Sequence, residues 1–198
     1  MGKMYKIINN ILRIIIILVL LYELYISNYN NAITLLLAFV LTYYNYIVKH
    51  LFKINLKESS KIMICILILL ALVLGTVLKF YYLFTWWDLL LHFLSGIIMF
   101  YIGEDIFLNI VSKDKKVKIN YFIVLIFSVC FALAIANIWE IFEYTTDYIF
   151  NGDTQRTAGL IGRYALEDTM TDLIISTIGT FIIFIVSYII HKKKNHKN

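Results

Sequence analysis

An all-α, polytopic membrane bundle of about six spans is the fold class this sequence predicts, and three observations predict it. The chain of 198 residues is 61% hydrophobic and only 16% charged, well short of the quarter of charged residues usual in a soluble domain, and its mean hydropathy is +0.80. It contains six apolar runs near the ~17–25 residues that cross a bilayer as helix, at about 11–26, 32–48, 62–78, 86–111, 119–150 and 168–190. Its basic residues cluster in alternate connections between these runs.

The first span follows Lys3 and Lys6 and carries Arg13, whose long side chain is expected to snorkel toward headgroups. A charged start before an apolar run also resembles a signal peptide. No small-x-small cleavage site follows Leu24, and cleavage would leave an odd number of spans, so an uncleaved helix is expected. Lys49, Lys53, Lys57 and Lys61 separate the second and third spans. Phe80, Tyr81, Tyr82, Trp86 and Trp87 precede or open the fourth and read as an interfacial aromatic belt. Lys113, Lys115, Lys116 and Lys118 lead into the fifth, and Lys192, Lys193, Lys194 and Lys197 follow the sixth. All but three of the 18 basic residues are thereby placed; Lys79, Arg156 and Arg163 fall in the other loops. The positive-inside rule then sets both termini in the cytoplasm, and with 198 residues the six spans leave only short connections, so residues 1–198 are expected as a single transmembrane domain. With no proline in the chain, any helix break must come from glycine or polar residues.

The net charge of +5 comes from these loop lysines, which suit an anionic membrane surface; their spread over several loops argues against nucleic acid as a partner. Cys65 and Cys130 lie inside apolar runs without CxxC spacing and read as small buried hydrophobes rather than a disulfide or metal site.

Seven ionisable residues gather at the same-side ends of the last three spans. Asp88 and His92 open the fourth; Glu140, Glu143 and Asp147 close the fifth; Asp168 and Asp172 open the sixth. The i,i+3 and i,i+4 spacings put each set on one helix face, as helical carboxylate proteins do when they build a site between facing helices. Gly96, one turn beyond His92, is placed to let a neighbouring helix come close, and Asn137 extends the polar face of the fifth span. Carboxylates near lipid are costly unless paired, hydrated or bound to a cation, and so mark candidate functional sites. Headgroup solvation, or an N-cap role for Asp168, is the plainer account for any single acid. It fits Glu140 and Glu143 poorly, since both sit within a long apolar run.

Three motifs carry a family resemblance: Trp87-Asp88-Leu89-Leu90-Leu91-His92-Phe93-Leu94-Ser95-Gly96, Trp139-Glu140-Ile141-Phe142-Glu143-Tyr144, and Asp168-Thr169-Met170-Thr171-Asp172 with Gly179 beyond. Over the C-terminal half the chain resembles the YjdF-like family of bacterial multi-span membrane proteins. The resemblance implies a bacterial cytoplasmic-membrane location and functional positions at Asp88, His92, Glu140, Glu143, Asp168 and Asp172, but no particular reaction. A further acid typical of the family would fall on Glu104 or Asp105, ~18 Å along the helix from His92 at 1.5 Å per residue. There, capping or pairing with Lys113 to Lys118 is the expected role.

Oxygen-rich donors with one histidine suit Mn²⁺, Mg²⁺ or Ca²⁺, and Zn²⁺ is also compatible. Asp88, His92, Glu140, Glu143, Asp168 and Asp172 are the candidate ligands, with Asp147 a weaker one, and Glu143 and His92 are the candidate catalytic groups. Arg156 and Arg163 are candidates to hold an anionic headgroup, though Asp153 and Glu167 are equally natural counter-ions for them. No organic cofactor motif, nucleophile elbow or phosphate-binding glycine loop is present. Three functions remain open: hydrolysis or group transfer on a lipid-linked substrate, proton- or cation-coupled transport, and a non-catalytic scaffold locked by its own ion pairs.

Overall fold

The structure is a computed structural model that describes residues 2–111, 120–150, 152–155 and 163–195. Among them the chain is helical, with no strand: α1 (Lys3–Tyr25), α2 (Tyr29–Leu41), α3 (Tyr44–Leu51), α4 (Glu58–Ile68) continued by a π-helical segment (Leu69–Val77), α5 (Phe80–Leu83), α6 (Trp87–Val111), α7 (Tyr121–Phe150) and α8 (Arg163–Asn195). Among the described residues five helices are long and apolar enough to cross a membrane, and the bent pair α2 and α3 makes up to six.

Beside their buried apolar residues, α7 and α8 bury several polar side chains and expose many large aliphatic ones. On α8 the buried positions Asp172, Ser176, Thr180 and Ser187 are polar, while Ile174, Ile178, Ile182 and Ile185 are exposed. On α7 Ser128, Glu140 and Glu143 are buried and Ile123, Ile126 and Ile138 are exposed. Water would penalise such a surface heavily; lipid welcomes it.

Two compact units divide the chain, Met1–Leu91 and His92–Asn198, with the boundary inside α6. In the first, Tyr5, Leu12, Ile16, Leu35, Ala38, Cys65, Ile68 and Val73 form the core. The second span, expected as one run over 32–48, is broken by 42° between α2 and α3. A buried threonine accounts for the break. Thr42 donates its hydroxyl to Phe39 O (2.7 Å) and accepts from Arg13 Nε (2.9 Å), while Arg13 Nη2 and Asn9 Nδ2 reach its carbonyl (3.4 Å each). That carbonyl is drawn to side chains of α1 where a straight helix would use it. Arg13 therefore turns inward onto Thr42 and lies 4.0 Å over the Tyr43 ring, rather than simply extending along the surface. Thr42→Val, which keeps the shape and removes the hydroxyl, is expected to cost about 1–2 kcal/mol, read as a lower midpoint of thermal unfolding in detergent; an unchanged midpoint would show that these bonds do not hold the break.

The aromatic group before the fourth span divides its labour. Tyr82 and Trp86 are exposed, as belt residues should be, but Trp87 is buried and packs edge-on against Phe80 at 4.9 Å.

The second unit consists of α6 from His92, α7 and α8. Its core is Phe100, Leu125, Val129, Ala132 and Ile183. Glycines let the backbones close up: a Cβ added at Gly96 would lie 2.2 Å from the Ser176 carbonyl oxygen, and one at Gly179 would lie 2.4 Å from that of Phe93. This close approach of α6 and α8 sets the depth at which their polar side chains meet.

Candidate metal centre

His92 is the hub. Ser176 Oγ donates to the His92 carbonyl at 3.1 Å, fixing the backbone of α6 against α8, and the imidazole sits 7% exposed between the neighbouring helices. Its Nδ1 faces Glu140 Oε1 of α7 at 3.7 Å, and its Nε2 faces Asp172 Oδ2 of α8 at 3.5 Å. Glu143, one turn from Glu140, completes a group in which His92, Glu140 and Glu143 each present a ligand atom within 4.8 Å of the others. Glu140 and Glu143 are each 4% exposed and Asp172 2%. One imidazole and three carboxylates thus share one buried region at the same end of three helices. The donor set is chemically suited to a divalent cation.

The remaining sequence candidates separate. Asp88 is half-buried in the first turn of α6, one helical turn before His92. Asp168 is half-buried on α8, one turn before Asp172; because α8 already starts at Arg163, Asp168 is an interior helical residue and not an N-cap. The sixth span accordingly begins earlier than the expected residue 168. Asp147 has its carboxylate on the following loop, accepting from Thr154 N (2.6 Å), Thr154 Oγ1 (2.5 Å) and Gln155 N (2.9 Å). It anchors that loop against α7. Arg156 lies outside the described residues, as does the Arg163 side chain, of which only the backbone at the start of α8 is placed. Lys113 to Lys118, expected partners of Glu104 and Asp105, are also outside the described residues.

Several participants carried no clear sequence signal. Gln155 is buried and donates from Nε2 to Thr169 Oγ1 at 3.0 Å, while Thr154 Oγ1 donates to the Glu143 carbonyl at 3.0 Å. Thr154 and Gln155 thereby tie the acidic end of α7 to α8. Beside it lies a cavity of about 510 Å³, lined by Asn137, Glu140, Ile141, Tyr144, Gln155, Ala165, Leu166, Thr169 and Leu173. Glu140 thus borders both the histidine and a mainly apolar cavity. Near the opposite end of α6, Glu104 and Asp105 are buried as well, and Tyr121 Oη donates to Glu104 Oε1 at 3.3 Å. In the first unit, Glu23 is buried, with Oε2 lacking a hydrogen-bond partner among the described residues.

Fold and site together define a multi-pass α-helical membrane protein with a buried histidine–carboxylate cluster in its C-terminal unit. The chain belongs to the family described as predicted membrane protein (DUF2238), whose model matches residues 8–193, so the family likeness reaches well beyond the C-terminal half. It is also similar to a Thermotoga maritima protein described as uncharacterized, 28% identical over 141 residues, which cover 71% of this chain and 66% of that protein. The chain thus spans just under two thirds of that relative's length. No solved structure matches the chain.

Proposed function

We propose that the C-terminal unit binds a divalent cation through His92, Glu140 and Glu143, with Asp172 holding the imidazole from its other nitrogen, and uses it for hydrolysis or group transfer on a lipid-linked substrate. The supporting observation is the convergence of His92, Glu140 and Glu143, all buried, with ligand atoms within 4.8 Å of one another. The spacing on one side of the imidazole agrees with it: at 3.7 Å the Nδ1–Glu140 distance exceeds a good hydrogen bond and approaches the ~3.4 Å that separates two ligands about 2.1 Å from one tetrahedral ion. Asp172 faces the other ring nitrogen at 3.5 Å, where it would orient the imidazole from behind. Asp88 and Asp168, one turn from His92 and Asp172, are further candidates on helical spacing alone. A cation here, Mn²⁺, Mg²⁺, Ca²⁺ or Zn²⁺, would polarise a phosphoryl oxygen or acidify bound water. Glu143 is the proposed proton acceptor, and the cavity beside Glu140 would receive an apolar portion of the substrate. Arg156 and Arg163 are retained as proposed headgroup contacts, and the YjdF-like relation as the finer family placement.

The test is elemental mass spectrometry of protein purified without chelator, wild type against an Asp88→Ala/His92→Ala double variant. About one equivalent of metal in the wild type and none in the variant is expected; equal content in both would overturn the shared site. Calcium and magnesium, which wash off, are read instead by cation-dependent thermal stabilisation.

A second reading, a proton- or cation-coupled carrier, is favoured by one observation. Buried Ser176 and Thr180 on α8 and Ser128 on α7 continue the polar face away from the cluster, and Glu104 and Asp105 are buried further along α6. Cation-dependent flux in proteoliposomes, with no turnover of lipid phosphates, would select it. In either reading the acidic cluster is proposed to face away from the cytoplasm. An Asp153→Cys variant, lacking the native cysteines, is expected to react with an impermeant thiol reagent on intact cells; labelling only after lysis would invert the topology.

A further inference from the structure

The first unit contains a second cavity, of about 320 Å³, where α1 meets the break between α2 and α3. Lys6, Arg13 and Lys49 line it, together with Asn9, Asn45 and Tyr46, and no carboxylate is among its lining residues. Lys6 and Lys49 form no ion pair among the described residues. Three cations around one cavity repel one another, so the arrangement favours an anion in their midst.

We propose that this cavity binds a phosphate-bearing anion, the headgroup of an anionic phospholipid in the adjacent leaflet. The independent support is that the polar groups are fixed rather than merely solvated. Asn9 and Asn45 are buried at 5% and 7% exposure. The Asn9 amide is oriented at both ends, donating from Nδ2 to Thr42 O and accepting from Cys65 Sγ at 3.5 Å. Arg13 is held by Nε and Nη2 on Thr42 and by its face on Tyr43, leaving Nη1 for a ligand. A guanidinium positioned this way is suited to phosphate oxygens, whereas the exposed Lys6 and Lys49 act as adaptable point charges. The exposed rings of Tyr43 and Tyr46 are of the kind that sits at headgroup depth. The site is independent of the proposed metal centre, which lies in the other unit.

The test is native mass spectrometry of the full chain in detergent with added phosphatidylglycerol or phosphatidylcholine. Preferential retention of phosphatidylglycerol is expected, falling about tenfold in Lys6→Gln/Lys49→Gln, given the attraction that each lysine near an anionic lipid surface supplies. These two lysines are exposed, so the variant should keep the wild-type unfolding midpoint; Arg13→Lys, which keeps the charge but not the fork, is expected to lose affinity as well. A Lys192→Gln/Lys193→Gln variant, outside the cavity, should retain lipid normally. Equal retention of the two lipids, or equal losses in the cavity and tail variants, would overturn the proposal. Excess inorganic phosphate separates the two sources of the anion: persistence of the bound lipid supports the headgroup, and its displacement assigns the cavity to a soluble phosphate ester.

Discussion

Gly96→Val is expected to be the most damaging single substitution in the C-terminal unit. The first added carbon would sit 2.2 Å from the Ser176 carbonyl oxygen and 2.9 Å from Thr180 Oγ1. The nearer atom belongs to the backbone, so a rotamer change cannot make room and α6 must move away from α8. Overpacking of this kind costs about 1–3 kcal/mol or more, and it acts on the contact that lets Ser176 bond to the His92 carbonyl. Loss of stability and loss of metal are therefore expected together. Gly179→Ala should behave similarly, since its Cβ would meet the Phe93 carbonyl oxygen at 2.4 Å. Gly103→Ala should be milder, because there the nearest atoms are Phe131 Cβ and Ser128 Cα at 3.0 and 3.1 Å. Thermal unfolding of the three variants in one detergent tests the ranking; a Gly96→Val protein as stable as Gly103→Ala would contradict the close α6–α8 packing.

The features legible in the sequence were those that depend on local chemistry alone. Run length marks the spans because each needs a set thickness of apolar chain, and i,i+3 or i,i+4 spacing places Glu140 with Glu143 on one face without any tertiary knowledge. Gly96 was legible as a point of close approach for the same reason. Features set by partners from distant sequence were not. The break after α2 depends on Arg13 and Asn9 reaching Thr42 across some thirty residues, and nothing in the run 32–48 announces it. The π-helical turns of Leu69–Val77 hold Gly75 and Thr76, whose hydroxyl donates to the Ala71 carbonyl five residues back at 3.3 Å, but the residue types alone do not fix that register. The early start of α8 was hidden because Tyr164 to Glu167 are not an apolar run, although they are helical. Burial of Glu23, Glu104 and Asp105 was equally hidden, since an acid near a span end reads as headgroup-solvated until neighbouring helices are seen to cover it. Asp147 shows the reverse: its helical spacing matched the cluster, but its carboxylate bonds the loop.

Glu140→Gln separates a cation site from a purely structural ion-pair lock, because the two require opposite signs. In the cation reading Glu140, Glu143 and Asp172 are ionised and His92 offers at most one positive charge, so the bound ion supplies the charge that offsets the rest. Glu140 and Glu143 present oxygens within 4.8 Å of each other, a separation at which two unit charges repel by roughly 3 kcal/mol at an effective dielectric near 20. Neutralising Glu140 with an isosteric amide relieves that repulsion while preserving shape. The chelator-treated variant is therefore expected to unfold at or above the wild-type temperature. Added Mn²⁺ should stabilise the wild type by about 2.7 kcal/mol at a hundredfold excess over Kd and the variant far less, since one ligand has lost its charge. If instead Glu140 serves only to pair with His92, the amide removes the charged partner at Nδ1 and leaves Asp172 at Nε2 to hold the imidazole alone. The variant would then unfold at a lower temperature than wild type, and Mn²⁺ would shift neither protein. Parallel unfolding curves with chelator and with Mn²⁺ decide between these outcomes, and the second would refer the cluster to the scaffold reading.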